Sequence, residues 1–276
     1  MLLTGASGLL GTWLRRVAPA GTTVVPVLHR TRLAGSGVVA DLRDSRAVAA
    51  AVATGRPALV VHAAYAHDEA SIVDATHHVV DAAGAVGARL VHVSTEAVFS
   101  GDGSPRAEED PPDPVWDYGR WKAQAEAAVL RSAVPSAVVR LPLVVSLDPE
   151  DHVVARIRRG AAEGRPTAWF DDEVRQPAAA RELAGAVWAI AGLDSAEAAG
   201  CWHLPGPESL SRHQIARRVV AALGLASDAV TAEPTPAGAE RPRHLRLLDA
   251  RARRAIGWAP TPVLPAPGPG RGPGPR

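Results

Sequence analysis

Lysine is almost missing from this chain of 276 residues: Lys122 stands alone, and the other Lys/Arg positions are all arginine. A sequence that uses guanidinium wherever a generic surface cation would serve, yet keeps one primary amine, marks that position as one needing an amine. Cysteine occurs once, at Cys201, which excludes an internal disulfide. Lying in an apparent strand, Cys201 reads as a small buried hydrophobe, and the protein is expected to be cytoplasmic. Aromatics are scarce apart from seven tryptophans, with two tyrosines and two phenylalanines. Charge of either sign is not in excess; the net charge is +1, which removes any global electrostatic case for nucleic acid or an anionic membrane. The basic cluster Arg156, Arg158 and Arg159 reads as the wet face of a helix. No apolar run is long enough to span a bilayer, and no opening segment reads as a secretory leader. What is present is apolar side chain, 47% of residues, enough to bury a substantial core in one large or two modest domains.

The stretch Asp117-Tyr118-Gly119-Arg120-Trp121-Lys122 pairs a phenol with that single amine. From 118 to about 131 the pattern is helical, so i and i+4 share a face and the two heads can meet one ligand. A free phenol titrates at roughly 10, and a fixed cation beside it is expected to bring it closer to neutral pH, where general acid–base catalysis works best. Lysine suits this task better than arginine, because a compact ammonium also reaches a ribose hydroxyl. A ring packed on a helix with a solvated lysine beside it is the plainer reading, and the upstream sequence decides against it.

Upstream, a very short apolar strand at 1–4 runs into Gly5-Ala6-Ser7-Gly8-Leu9-Leu10-Gly11 and an amphipathic helix. Glycines at this spacing allow a tight turn and bring backbone amides, with Gly5, Ser7, Gly8, Leu9 and Leu10 lining the approach, to a dinucleotide pyrophosphate at the helix's positive end. No Gly-Lys-Ser/Thr follows, which excludes the phosphate loop of nucleoside triphosphatases. A second strand is expected at 22–28, ending in His29-Arg30-Thr31-Arg32. An acid there would select NAD; its absence, with Arg30 as first and Arg32 as second candidate for a 2′-phosphate, favours NADP(H) over NAD(H). A third strand at 37–40 closes on Asp41-Leu42, which either holds an adenine amino group against an apolar wall or caps the next turn. A buried strand at 59–62 leads to Ala63-Ala64-Tyr65-Ala66, small enough for a cofactor to lie over the chain. His62, His67, His77 and His78 have no spacing that fits a shared metal, so none is expected. After a helix at 69–86, a strand at 90–93 ends in Ser94-Thr95-Glu96, two hydroxyls at a carboxyl edge where substrate binds. Residues 100–117 read as loop. Further strands are expected at 138–145, 167–170 and 201–204, and further helices at 153–162, 179–191 and 211–223.

Taken together, these residues resemble the extended short-chain dehydrogenase/reductases, and within them the dTDP-4-dehydrorhamnose reductase group. The resemblance covers about residues 2–260 and rests on Thr4-Gly5-x-x-Gly8-x-x-Gly11, Asp41-Leu42, Ser94-Thr95-x-x-Val98-Phe99-x-Gly101, Glu108-x-Asp110-x-Pro112, Tyr118-Gly119-x-x-Lys122 and Arg140-Leu141-Pro142. Asp172-x-x-Arg175-x-Pro177 and His203-Leu204-x-Gly206-Pro207 with Ser211-Arg212 extend it. It implies an α/β fold, a Rossmann-type doubly wound parallel sheet with a smaller split C-terminal substrate lobe. The cofactor domain would take residues 1–150 and about 178–204, the substrate lobe 151–177 and 205–260, and the Pro-Gly-Arg repeats of 261–276 would be disordered. By the same resemblance Tyr118 would donate a proton, Lys122 would hold the nicotinamide ribose, and Thr95 would hold the carbonyl oxygen. Ser94, Glu96, Arg156, Arg159 and Arg175 are the substrate-side candidates, the arginines for the phosphates of a nucleotide sugar, with a homodimer as the assembly left open. The chain departs from the pattern at its short first strand, at His62 and near Ile72, the last two where asparagines are familiar. A non-catalytic NADP-binding regulatory or scaffold subunit is the rival from another class. Epimerisation or dehydration is a third reading, left open by Glu96.

Overall fold

The computed structural model of the chain describes residues 1–29, 33 and 37–264. Arg30 and Arg32, the expected 2′-phosphate partners, and residues 265–276 lie outside the described residues; the first residues of the tail expected to be disordered instead pack on the body, with Val263 buried and Thr261 donating to Glu182.

Short apolar runs alternate with amphipathic ones along the first half. They form β1 (Leu2–Thr4), α1 (Leu9–Arg16), β2 (Val25–Leu28), β3 (Val38–Val39), α2 (Ser45–Gly55), β4 (Leu59–His62), α3 (Ala75–Val86), β5 (Arg89–Thr95), β6 (Asp102–Arg106), α4 (Asp117–Arg131) and β7 (Ser136–Leu141). The second half adds β8 (Val144–Val145), α5 (His152–Ala162), β9 (Thr167–Phe170), β10 (Val174–Arg175), β11 (Ala178–Ala179), α6 (Ala180–Gly192) and α7 (Ser195–Ala198). After these come β12 (Gly200–His203), β13 (Leu210–Ser211), α8 (Arg212–Ala222), β14 (Val230–Glu233), β15 (His244–Leu247) and α9 (Ala250–Ile256).

Seven of the strands make one parallel sheet, ordered β12-β7-β5-β4-β1-β2-β3. Both faces are covered, which explains why its strands are apolar throughout rather than alternating. Leu3, Val61, Val91 and Val139 point to one side and pack on Leu14 of α1 and Leu183, Val187 and Ile190 of α6. Their neighbours Leu2, Val60, Leu90 and Val138 point to the other and pack on α2, α3 and Val129 of α4. Strand order reverses between β1 and β4, and a crevice opens at the carboxyl ends there. The remaining strands form a four-stranded sheet, β13-β10-β15-β6, and the pairs β11-β8 and β14-β9. A separate core gathers Val153, Val154 and Ile157 of α5, Trp169 of β9, Val219 and Val220 of α8, and Val230 of β14.

Several elements differ from expectation for local reasons. β2 begins at Val25, not at 22, because its pairing with β1 begins at Leu2 opposite Val25; Met1 accepts the Val25 N–H and donates to the Thr23 carbonyl outside the ladder. Pro142 splits the expected strand 138–145 into β7 and β8. The helix expected from 69 opens with a π turn over Ala70–Asp74. Within the expected loop 100–117, Asp102-Gly103-Ser104-Pro105-Arg106 is a strand despite its composition, because it pairs in parallel with β15.

Candidate active site

The glycine turn is shaped by close approach. Gly5 has φ +70°, and a Cβ there would stand 2.6 Å from the Ala63 carbonyl carbon, so the loops after β1 and β4 touch through backbone alone. Helix α1 is preceded by Gly8, which offers no side-chain cap and leaves the first amides for a ligand. An uncapped helix start facing a cavity is the feature a pyrophosphate fits.

Thr4 and His62 sew the same strand ends together. The Thr4 hydroxyl oxygen accepts the Ala63 and Ala64 N–H groups, each at 3.2 Å, and the hydroxyl lies 2.7 Å from His62 Nδ1. His62 Nε2 lies 3.2 Å from the Thr76 hydroxyl, which donates to the Ile72 carbonyl. Burial, with Lys122 adding, pushes the His62 pKa down to about 3, so the ring is a neutral strut. The chain contains no asparagine at all, and at this strand end the imidazole makes the contacts.

Tyr118 and Lys122 project from the first turns of α4 toward the carboxyl end of β5. Gly119 permits this: a Cβ there would lie 2.2 Å from the Ala97 carbonyl oxygen and 2.8 Å from Pro114 Cβ, so α4 rests directly on the turn after Thr95. Thr95 accepts the Ala97 N–H at 3.2 Å and lines the same cavity as the phenol. The rings of Tyr65, His67 and Trp116 stand 5.8, 5.4 and 5.4 Å from that of Tyr118. Lys122 is buried and donates to the Val93 carbonyl at 2.8 Å. One expectation is corrected here. Burial, with Tyr65 and Glu96 adding, raises the Tyr118 pKa well above the usual phenol value, and Lys122 does not pull it down. Instead burial lowers the Lys122 pKa to about 8, offset in part by Glu126. Behind them, Glu126 and Arg140 form an ion pair at 2.8 Å with both side chains 2% exposed.

All of this faces one cavity of about 710 Å³, which Gly5, Gly8, Leu9, Leu10, Ala63, Tyr65, Ser94, Thr95, Glu96, Tyr118, Lys122 and Arg175 line together. Other expected site residues lie elsewhere. Asp41 is held by Arg43 at 2.7 Å and approached by His29 at 3.6 Å, and Leu42 lines a separate small pocket behind β1. Ser7 is exposed at the turn, and Ala64 contributes its N–H to Thr4. Arg156 stacks on Trp169 at 4.4 Å and donates to the Ala168 carbonyl. Among the described residues no cluster could hold a metal, and no helix is long and apolar enough to cross a membrane.

The opposite wall comes from residues distant in sequence. Glu173, fully buried, binds Arg241 at 2.5 Å and Arg175 at 3.3 Å, and Arg175 Nε lies 3.5 Å from Glu96. Burial raises the Glu96 pKa to about 7, with Arg175 and Arg212 opposing. Arg212, Arg241 and His152 also line the cavity, and sequence reasoning gave none of them a site role. The signal available was Ser211-Arg212 at a helix start; Arg241 has none, because its partners Glu173, Trp116 and Phe170 are scattered along the chain.

A family profile described as RmlD substrate binding domain matches residues 1–263. A dTDP-4-dehydrorhamnose reductase of Streptomyces griseus is 32% identical over an alignment of 279 residues, covering 94% of this chain and 88% of that one. Methionine adenosyltransferase 2 subunit beta of Bos taurus is 27% identical over 266 residues, covering 90% of this chain and 79% of that one. A solved structure of a hypothetical dTDP-4-dehydrorhamnose reductase from Sulfolobus tokodaii superposes with a TM-score of 0.80 at 26% identity, covering 93% of this chain and 94% of the other.

Proposed function

The chain belongs to the RmlD substrate binding domain family of the extended short-chain dehydrogenase/reductases, NAD(P)-dependent oxidoreductases as a class, and from that premise we propose that it reduces the 4-keto group of a nucleotide-activated deoxysugar with NADPH. The observation that carries this reading is the shared cavity: a phenol, an amine and a hydroxyl line the same space as an uncapped, glycine-opened helix start.

The nicotinamide, when bound, supplies hydride; the chain supplies position and a proton. Tyr118 gives its proton to the oxygen that becomes an alkoxide. Its buried phenol retains that proton far above neutral pH and so enters the reaction as an acid. Thr95, which lines the same cavity, steadies the same oxygen. Lys122 spends one N–H on Val93 and has two left for the hydroxyls of the ribose. The preference for NADPH rests on the lack of an acid after β2, where the chain reads His29-Arg30. The test is NADPH oxidation with dTDP-4-keto-6-deoxysugars by the parent and by Tyr118→Phe. The variant should be slower by about a thousand-fold. If the parent turns over no carbonyl substrate, or the variant matches it, the reading fails.

The likeness to methionine adenosyltransferase 2 subunit beta favours a second reading, a nicotinamide-binding subunit that regulates a partner enzyme. Tight NADPH binding without turnover, with a co-purifying enzyme, would decide for it.

A further inference from the structure

Reducing a ketone to an alcohol consumes a proton at every turnover. A phenol that has given its proton to an alkoxide is left as phenolate, and it acts again only when a proton from water replaces the one lost. Burial opposes an anion at Tyr118, so the replacement needs a defined donor.

The groups sharing the cavity with the phenol differ in whether they reach water. Ser94, Glu96 and Lys122 are each 4% exposed, and the Lys122 ammonium already donates to the Val93 carbonyl. His152 is exposed, yet its Nε2 is approached by Arg212 at 3.4 Å. His67 differs from all of these. It lines the cavity, it is exposed, and among the described residues neither of its ring nitrogens has a hydrogen-bond partner.

His67 also touches the phenol. Its ring stands 5.4 Å from that of Tyr118 and 5.6 Å from that of Tyr65, which itself stands 5.8 Å from Tyr118, so three rings meet in a closed triangle. The loop carrying His67 is anchored at both ends, by the Ala63 and Ala64 amides on Thr4 and by the Ser71 amide on Asp68. An anchored loop thus presents the imidazole to the phenol. Of the three rings, a phenol in ordinary surroundings releases its proton only at a pH of roughly 10, whereas imidazole exchanges one near neutrality and has a nitrogen for it on either edge.

We propose that His67 is the relay through which Tyr118 exchanges its proton with solvent. Water protonates the imidazole, the imidazolium passes a proton to the Tyr118 phenolate, directly or through one water of the cavity, and the neutral ring takes up the next. Only N–H and O–H bonds form and break, and no electron moves. The use of this relay in turnover rests on the ketone-reductase reading; the exchange itself does not.

The test takes the full chain saturated with NADP⁺ and follows exchange of the Tyr118 hydroxyl proton with water by NMR, beside kcat and KM for NADPH oxidation with dTDP-4-keto-6-deoxysugars. His67→Ala and His67→Gln should each slow both exchange and kcat by about a hundred-fold, with KM and the urea midpoint unchanged. Glutamine fills the space without carrying a proton, so a role in packing alone would leave that variant like the parent. Added imidazole should restore His67→Ala and leave Tyr118→Phe as slow as before. Parent-like exchange or turnover in either His67 variant, or no response to imidazole, would overturn the proposal. Loss of exchange in Glu96→Gln with none in His67→Ala would assign the proton to Glu96 instead. Failure of the reductase reading would show separately, as exchange that depends on His67 in a chain that oxidises no NADPH.

Discussion

The two walls of the cavity are built from different materials. One side, from the Gly5 turn to Tyr118, is made of backbone amides, small residues and hydroxyls at strand ends, with its charges set into the structure behind it. The other, from His152 to Pro242, is a lattice of guanidinium and carboxylate groups on short strands and helix starts. The first recognises by shape and dipole, and its geometry follows from which residues can approach one another. The second recognises by charge, and its geometry follows from which ions pair. A defect in the first wall should therefore misplace atoms, and a defect in the second should change pH response.

Removing a charge set behind the first wall should have the largest effect on folding. Glu126→Ala leaves Arg140 buried and unpaired and should cost about 4 kcal/mol, read as a lower urea midpoint at constant m. Next is Glu96, which follows Thr95 in the first wall but pairs with Arg175 of the second. Its folded pKa of about 7 exceeds the free value of 4.5, so the folded chain keeps a proton that the unfolded chain releases between those limits. Stability should fall as pH rises from 4.5 to 7, and Glu96→Gln should abolish that fall, a gain on the order of 3 kcal/mol at pH 8. Parallel pH profiles for parent and variant would break the distinction between the walls. Gly119→Ala should push α4 off the Ala97 carbonyl and slow turnover about a hundred-fold; unchanged turnover would show that the first wall yields. The smallest effect is expected at Ser211, whose side chain closes a capping box with Gln214 at the start of α8. Ser211→Ala should lower stability by about 1 kcal/mol, measured by thermal melting.

The same division explains what could be read from the sequence. The strands of the parallel sheet and the motifs of the first wall are each set by residues close in sequence, where a motif spans its own geometry: Gly5 to Gly11 is one turn, and Tyr118 to Lys122 is one helical step. Pro142 shifted a strand limit by a local rule that periodicity does not register. Arg241 and β15 were not legible, because Arg241 takes its meaning from Glu173 and β15 from a Gly-Ser-Pro strand more than a hundred residues earlier. The phenol's direction of shift was also misread. Spacing brings an amine near a phenol, whereas burial, which only the packed structure fixes, governs the proton.

Strand β6 has a consequence for how the molecule can be taken apart. It lies between Thr95 and Tyr118 in sequence, yet its hydrogen-bonding neighbour is β15, near the far end of the described chain. The stretch joining those two residues is therefore braced by residues 244–247, and a fragment stopped near residue 150 would lose that brace while keeping every residue of the first wall. It would also lose α6 and β12, which cover one face of the main sheet and extend its edge, so the first half of the chain depends on the second for its core as well as for its site.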